Sequence, residues 1–494
     1  MAVETELKLA LPAAAAARLR RHPLLAATPP VRQRLHNCYY DTADLDLWRA
    51  GIALRHRRTA RGWLLTVKSA EPAAGGLARR SEWEAASKPD AFDFSHVDDK
   101  RLRRRLEALT PALQPAFVTD FVRDTWLLAP APGVEIELAL DRGSIRHGER
   151  AEAICEVELE LLAGPISALF DLARALQAGL PLSPAAASKA ERGYRLFRNE
   201  VAQPVHAGLS PLDARMTPLA AFRALAFDCV EQLLRNMDGA GAGDDPEFLH
   251  QARVAVRRLR SAMRLWRPFL PADFRALFEP AWQWFGQTLG EARNRDVFIT
   301  QTLPSLSAGC PGHPSLATLA ARAERQRRRS RRALRTALAA PLAGRLVLEF
   351  SAALHALAEP AATPTLAAFA AARVRRLSRR VARLAAAAGR DPAALHRLRI
   401  ATKHLRYALE FFAPLFRRRR QRRLLAAAAK VQALLGELND LHVAEALLAE
   451  CRLPADAQLA AWFAGRAALL HARLPDALSG LVRAPLPRRR RRRR

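Results

Sequence analysis

One segment of this chain occurs twice. LHQARVAVRRLRSAMRLWRPF, beginning at Leu249, returns as LHRLRIATKHLRYALEFFAPLF at Leu395, and LGEARNRDV at Leu289 returns as LGELNDLHV at Leu435. Both pairs share the offset that separates Leu249 from Leu395, so one amphipathic helical unit has been duplicated. The first copy sets His250, Arg253, Arg257 and Arg260 at i, i+3, i+7 and i+10, a single stripe of a helix. The second keeps it as His396, Arg399, Lys403 and Arg406. A solvated face mixes in acids to offset self-repulsion, and here none appears until Glu410. Either copy alone reads equally as a basic surface helix, and both histidines as satisfied structural ones. The stripe kept in both copies favours an anionic ligand held between two pseudo-symmetric helices.

The repeats, around 249–300 and 395–445, lie in a helical region, 214–487, interrupted by Pro-bearing breaks near 268–271, 304–314 and 360–364. Segments 321–338 and 373–384 add further arginines, and residues 488–494 are all Arg. Aromatic interleaving is sparse, which argues against base stacking and against nucleic acid as a specific partner. A Pro- and Gly-bearing stretch, 201–213, reads as a linker. Residues 1–200 hold 29 Lys and Arg against 26 Asp and Glu, whereas the remainder holds 50 against 22, so nearly all of the net +31 lies beyond the linker.

Residues 1–200 read instead as short alternating strands, apolar on one face and ionic on the other. In ETELK, Glu4, Glu6 and Lys8 share a face; so do Arg55 with Arg57, Arg80 with Glu82 and Glu84, Glu135 with Glu137, and Glu156 with Glu158 and Glu160. Lys68 opposes Trp63, Leu65 and Val67. One such strand is an ordinary half-solvated strand. About eight of them, carrying both signs of charge, fit a barrel with an ionic lumen, where the buried charges need a ligand and a metal to complete their pairing. The expected fold class is therefore α+β: an eight-stranded antiparallel β-barrel with flanking helices, then an all-α helical bundle with an internal duplication. The five cysteines are scattered and form no CxxC, which disfavours a disulfide framework or zinc site. Neither a signal segment nor a run of roughly 20 uncharged residues is visible. The expectation is a cytoplasmic protein with no membrane partner, associated with polyphosphate granules; its oligomeric state is open.

ETELK resembles the ExExK signature of the CYTH family, the triphosphate tunnel metalloenzymes, and NCYYDTADLDL, GIALRHR, WLLTVK, RRSEWE, VEIELALDRGSI, CEVELELL and SKAERGYRL follow in order. The resemblance implies a tunnel that hydrolyses inorganic triphosphate with Mg²⁺ or Mn²⁺. Lys8, Arg55, Arg57 and Lys68 would hold its oxygens, with Arg80, Arg123 and Lys189 in support. Glu4, Glu6, Glu156 and Glu158 would supply carboxylates to the metal. Glu82, Glu84 or Glu160 would act as base or second metal ligand. The doubled helix resembles the CHAD domain, which implies inorganic polyphosphate as its ligand, although RNRDV places Asn294 where that family commonly has Asp. Competing readings are a tunnel acting on thiamine or nucleoside triphosphates, by hydrolysis or cyclisation, a non-catalytic polyphosphate-binding protein, and a nucleic-acid binder.

Overall fold

The computed structural model describes residues 2–60, 62–70, 77–242, 245–451 and 456–489, without the side chains of residues 2, 3, 70, 78–80 and 242. Two compact units result. The first joins residues 1–204 to 338–357, and the second comprises 205–337 and 358–494.

The first unit is built on β1 (Ala2–Ala10), β2 (Val31–Asp41), β3 (Ile52–Thr59), β4 (Gly62–Ala70), β5 (Leu77–Ser87), β6 (Gln114–Ala131), β7 (Val134–His147), β8 (Arg150–Ala163) and the two-residue β9 (Ser183–Pro184). The sheet order is β5-β4-β3-β2-β6-β7-β8-β1-β9, and β1 pairs again with β5. Each of the first eight strands thus has an antiparallel partner on both sides. The circuit is completed by the staggered β1, whose residues 2–7 pair with β5 and 6–10 with β8, Glu6 and Leu7 pairing with both, while Leu9 and Ala10 pair with β9 on the side that β5 leaves.

Alternation sorts the side chains as the sequence implied. Leu7 and Leu9 point outward and are fully buried with Ile136, Leu138, Val157 and Leu159 beneath a helix that supplies Leu169, Phe170 and Leu176. Burying each such side chain contributes about 1.5–3 kcal/mol. Glu6 and Lys8, one residue out of phase, face the lumen.

The helices are, in chain order, α1 (Ala16–Arg20), α2 (Pro23–Ala26), α3 (Asp46–Arg49), α4 (Lys100–Leu109), α5 (Ser167–Gln177), α6 (Lys189–Phe197), α7 (Pro218–Ala242), α8 (Pro246–Trp266), α9 (Ala272–Val297), α10 (Leu303–Gly309), α11 (Ser315–Ala339), α12 (Pro341–Ala356), α13 (Leu366–Ala387), α14 (Pro392–Phe411), α15 (Arg418–Glu450) and α16 (Ala457–Arg483). The first six cover the barrel. So does α12, which the sequence reading had kept within the helical region: it packs on α5 and β9, and its Leu348 belongs to the Leu7–Leu9 core.

In the second unit α7, α8 and α9 are repeated as α13, α14 and α15, and each packs against its copy. Both central helices start with an Asp-Pro: Asp245 accepts from Glu247 N at 2.8 Å, and Asp391 from Ala394 N at 2.8 Å. Trp266 and Phe412, equivalent positions of the two copies, meet with ring centroids 5.0 Å apart. No single described helix is long and apolar enough to cross a membrane; α11 and α12 pass that test only as a pair. Residues 490–494 of the arginine tail lie outside the described residues, while the backbone carbonyl of Arg488 accepts from Arg417 N at 2.9 Å.

Candidate functional site

The barrel encloses a cavity of about 680 Å³ lined by charge of both signs. Sheet register gives the charge an order. Across β1, β8 and β7, Glu6 lies beside Glu160 and Glu160 beside Glu137, with Lys8 beside Glu158 one step along. In the eight-strand circuit β3 stands four strands from β8, and β4 four from β7, in either direction. Arg55, Arg57 and Lys68 therefore come from the wall opposite the Glu137–Glu160 row.

Lys68 Nζ contacts Glu4 at 2.8 Å and Glu82 at 3.0 Å. Arg55 donates to the Tyr39 hydroxyl at 3.1 Å, and its Nε and Nη2 are buried with no hydrogen-bond partner. Arg57 donates to Asn37 Oδ1 at 3.2 Å. Glu82 and Glu84 lie 3.7 Å from Arg55 and Arg57, and Glu84 also accepts from Thr66 at 2.8 Å, so both acids brace the cationic wall. Unpartnered guanidinium donors in a cavity are expensive unless an anion completes them.

A second group of charges is already neutralised. Lys189, the first residue of α6, contacts Asp141 at 2.6 Å, Glu158 at 3.0 Å and Glu156. Arg123 grips Asp141 bidentately at 2.7 Å and also bonds Glu158, while Lys8 reaches Glu158 at 2.6 Å. Burial pushes the Glu158 carboxyl up, but Lys189, Lys8 and Arg123 outweigh it and hold it well below the ordinary range. Asp141, Glu156 and Glu158 are the described carboxylates close enough to share an ion, yet the Lys189 ammonium sits among them. Glu156, expected among the metal ligands, is absent from the cavity lining and pairs with Lys189 and Arg192. The Arg80 side chain lies outside the described residues; its backbone pairs with Glu4.

The carboxylates without such partners are Glu137 and Glu160. Neither has an ion pair among the described residues. Burial raises Glu137, and burial together with Glu4, Glu137 and Glu6 pushes Glu160 up to about 7. Acids that repel one another across a lumen are the donor set a hard divalent cation needs. Glu4 and Glu6 complete the acidic side of the lining, Glu4 in contact with Lys68 at 2.8 Å and Glu6 with Lys8 at 3.4 Å. Glu137 was legible as a strand partner of Glu135, but alternation gives the face of a residue and not its height along the lumen.

In the helical unit the stripe is a cluster of cations with few counter-charges. Arg253 is pulled down to about 10 by burial and by Arg257 and Arg399, and Lys403 to about 7 by burial and by Arg257, Arg399, Arg264 and Arg260. Arg260, Arg293 and Arg399 are lowered too, burial being the largest cause in each. Arg293, on α9, carries no signal in the sequence that marks it out, whereas Asp440, which the second LGE segment marks as a junction residue orienting the basic helices, faces Arg399 and Arg253. Gly290, the glycine of the first LGE, makes room for Arg253: a Cβ there would fall 2.3 Å from its Nη1.

The symmetry is incomplete. Arg406 is spent on Glu410 at 2.8 Å and Gln432 at 2.7 Å, and stacks on Tyr407. His250 is half-buried and lowered by burial and Arg293, whereas its counterpart His396 is exposed. Asn294 leaves Asp440 as the acid of its pair of equivalent positions.

Residues 2–194 match the CYTH domain family, and residues 224–449 the CHAD domain family. An inorganic triphosphatase of Haemophilus influenzae is 34% identical over 167 residues, 33% of this chain; the chain thus spans 46% of that relative's length. The crystal structure of the CHAD domain from Ricinus communis is 33% identical, with TM-score 0.49 over 58% of this chain and 99% of that one. A putative adenylyl cyclase of Hippeastrum with a dominant triphosphatase activity is 21% identical, with TM-score 0.32 over 40% of this chain and 97% of that one.

Proposed function

Because the chain joins a CYTH domain to a CHAD domain, we propose that its barrel hydrolyses inorganic triphosphate with Mg²⁺ or Mn²⁺ and that its helical unit binds inorganic polyphosphate. The observation that carries the first half is the facing of two walls. Glu137 and Glu160, raised and unpaired, stand across the lumen from Arg55 and its unused donors. Arg55, Arg57 and Lys68 would hold phosphoryl oxygens, with Lys8, Arg123 and Lys189 also lining the cavity. Glu4, Glu6, Glu137 and Glu160 would hold the ion. When bound, the metal supplies positive charge to the phosphoryl oxygens. Water attacks a terminal phosphorus in line, the bridging P–O bond breaks and its electrons leave with pyrophosphate; one proton of the water stays on the released phosphate and the other passes to the pyrophosphate oxygen. The cationic wall lowers the barrier by meeting charge that develops on the transferring group.

Support for the second half is the basic stripe kept on both α8 and α14, where burial first and then Arg257 lower Arg253, Arg399 and Lys403 alike. Phosphate release from tripolyphosphate, ATP and thiamine triphosphate, each with Mg²⁺ or Mn²⁺, tests the enzymatic reading. Preferred turnover of tripolyphosphate supports it. Preferred turnover of an organic triphosphate shifts the substrate, and turnover of none makes the protein a polyphosphate binder.

A further inference from the structure

Helix α12 belongs to the barrel unit although it is encoded beyond residue 340, between two segments of the helical unit. It approaches closely at Gly344. A Cβ there would lie 2.8 Å from Leu182 O, 3.0 Å from Ser183 Cβ and 3.1 Å from Ser183 Cα, so even alanine forces that backbone to move. The contacted segment is short and strategically tied. Leu182 O accepts from the buried Gln177 Nε2 at 2.8 Å, Ser183 and Pro184 pair with Ala10 and Leu9 of β1, and Ala185 N donates to Lys8 O at 3.0 Å. Three residues later Ser188 caps α6, accepting from Glu191 N at 3.1 Å, and Lys189 follows with its contacts to Asp141, Glu156 and Glu158. Midway along α6, Gly193 lies flush on the Phe117 ring, where a Cβ would come within 2.0 Å. Segment 182–189 therefore has little slack. It is fixed by β1 on one side, by α6 at its end, and by α12 at Gly344.

We infer that α12, through Gly344, is a positioning element of the tunnel: it seats the 182–185 segment that holds the Lys8 backbone and aims Lys189 into the lumen. Neither Gly344 nor any other α12 residue lines the cavity, so the effect is transmitted through backbone. A misplacement of about 1 Å in a catalytic site can cost ~10²-fold. Gly344→Ala, demanding a smaller shift, should raise KM for tripolyphosphate about tenfold in the full chain. The inference rests on the proposed triphosphatase activity, so hydrogen exchange of the amides of 183–189 is read alongside kinetics. If the wild-type chain turns over no triphosphate, the functional reading fails while exchange still tests the prop.

In the full chain, Gly344→Ala should speed exchange at 183–189, and removing the Ser183 Cβ in Gly344→Ala with Ser183→Gly should restore part of both readouts. Gly465→Ala, at a helical glycine with open space around it, should change neither. Should Gly344→Ala not fold, Leu348→Ala, which loosens the same helix without a clash, is measured in the same way. Wild-type KM and exchange in a folded variant, or a fall in kcat alone matching the fraction unfolded, would overturn the inference.

Discussion

Polyphosphate binding by the helical unit should weaken steeply above neutral pH, and Lys403 should be the cause. Its ammonium is faced by Arg257, Arg260 and Arg264 from α8 and by Arg399 from its own α14, next to His404, which burial and Arg264 bring down to about 3 and so keep neutral. Asp440, the acid of this region, lies against Arg399 and Arg253. Burial and these like charges bring Lys403 to about 7, so in the empty groove at pH 8 only about one molecule in ten carries the proton. A phosphate chain reverses the balance by placing negative charge against the amine, and binding then takes up a proton. Because the liganded value lies above the empty one, the contribution is fully present below about pH 7 and is lost as pH rises. The loss approaches tenfold in Kd per pH unit, about 1.4 kcal/mol each, until the liganded value is passed. Arg253, at about 10, stays charged across this range. Calorimetric titration with long-chain polyphosphate at pH 6 to 9 and constant ionic strength should show a flat limb, then Kd rising about fiftyfold between pH 7 and 9. Lys403→Arg should flatten the rise. A constant wild-type Kd, or an equally steep rise in the arginine variant, would refute the reasoning.

Arg55→Ala removes charge-assisted contacts worth ~1.5–3 kcal/mol, so kcat/KM for tripolyphosphate should fall roughly 10- to 100-fold with unchanged melting temperature. Lys189→Met leaves Asp141, Glu156 and Glu158 without their shared cation; stranding buried charge costs about 3–5 kcal/mol, and calorimetry should show a melting temperature lower by several degrees. Gly290→Ala should weaken polyphosphate binding by displacing Arg253, while Gly436→Ala, at the equivalent and open position, should not. Equal effects from the two glycines would remove the asymmetry from the groove.

Strand alternation made the faces of the barrel legible, because a two-residue period leaves no freedom about which side chains share the lumen. It could not give register. Only the pairing of Glu6 with Glu160, and of Lys8 with Glu158, shows that β8 places one glutamate in the open acidic row and two in the Lys189 network. The duplication likewise made α8 and α14 legible as partners, but it counted Arg406 with the ligand-binding stripe, whereas Arg406 pairs with Glu410 one turn on. What the repeat hid was its own asymmetry: Arg293, which acts on the half-buried His250, is Asn439 at the equivalent position of the second copy, where His396 is exposed. The placement of α12 with the barrel had no local signal. Its composition suits any buried helix, and its partner segment lies about 160 residues away, so only long-range packing decides it.

The most direct test of the facing-walls account is phosphate release from tripolyphosphate by the full chain as Mn²⁺ is titrated, comparing wild type with Glu160→Gln and Glu156→Gln. The account predicts saturable metal activation in wild type, a shift of the activation midpoint to at least tenfold higher Mn²⁺ in Glu160→Gln, where a carboxylate of the open row is lost, and a wild-type midpoint in Glu156→Gln, whose carboxylate faces Lys189 and Arg192. Metal-independent release, or a shifted midpoint in Glu156→Gln alone, would contradict it.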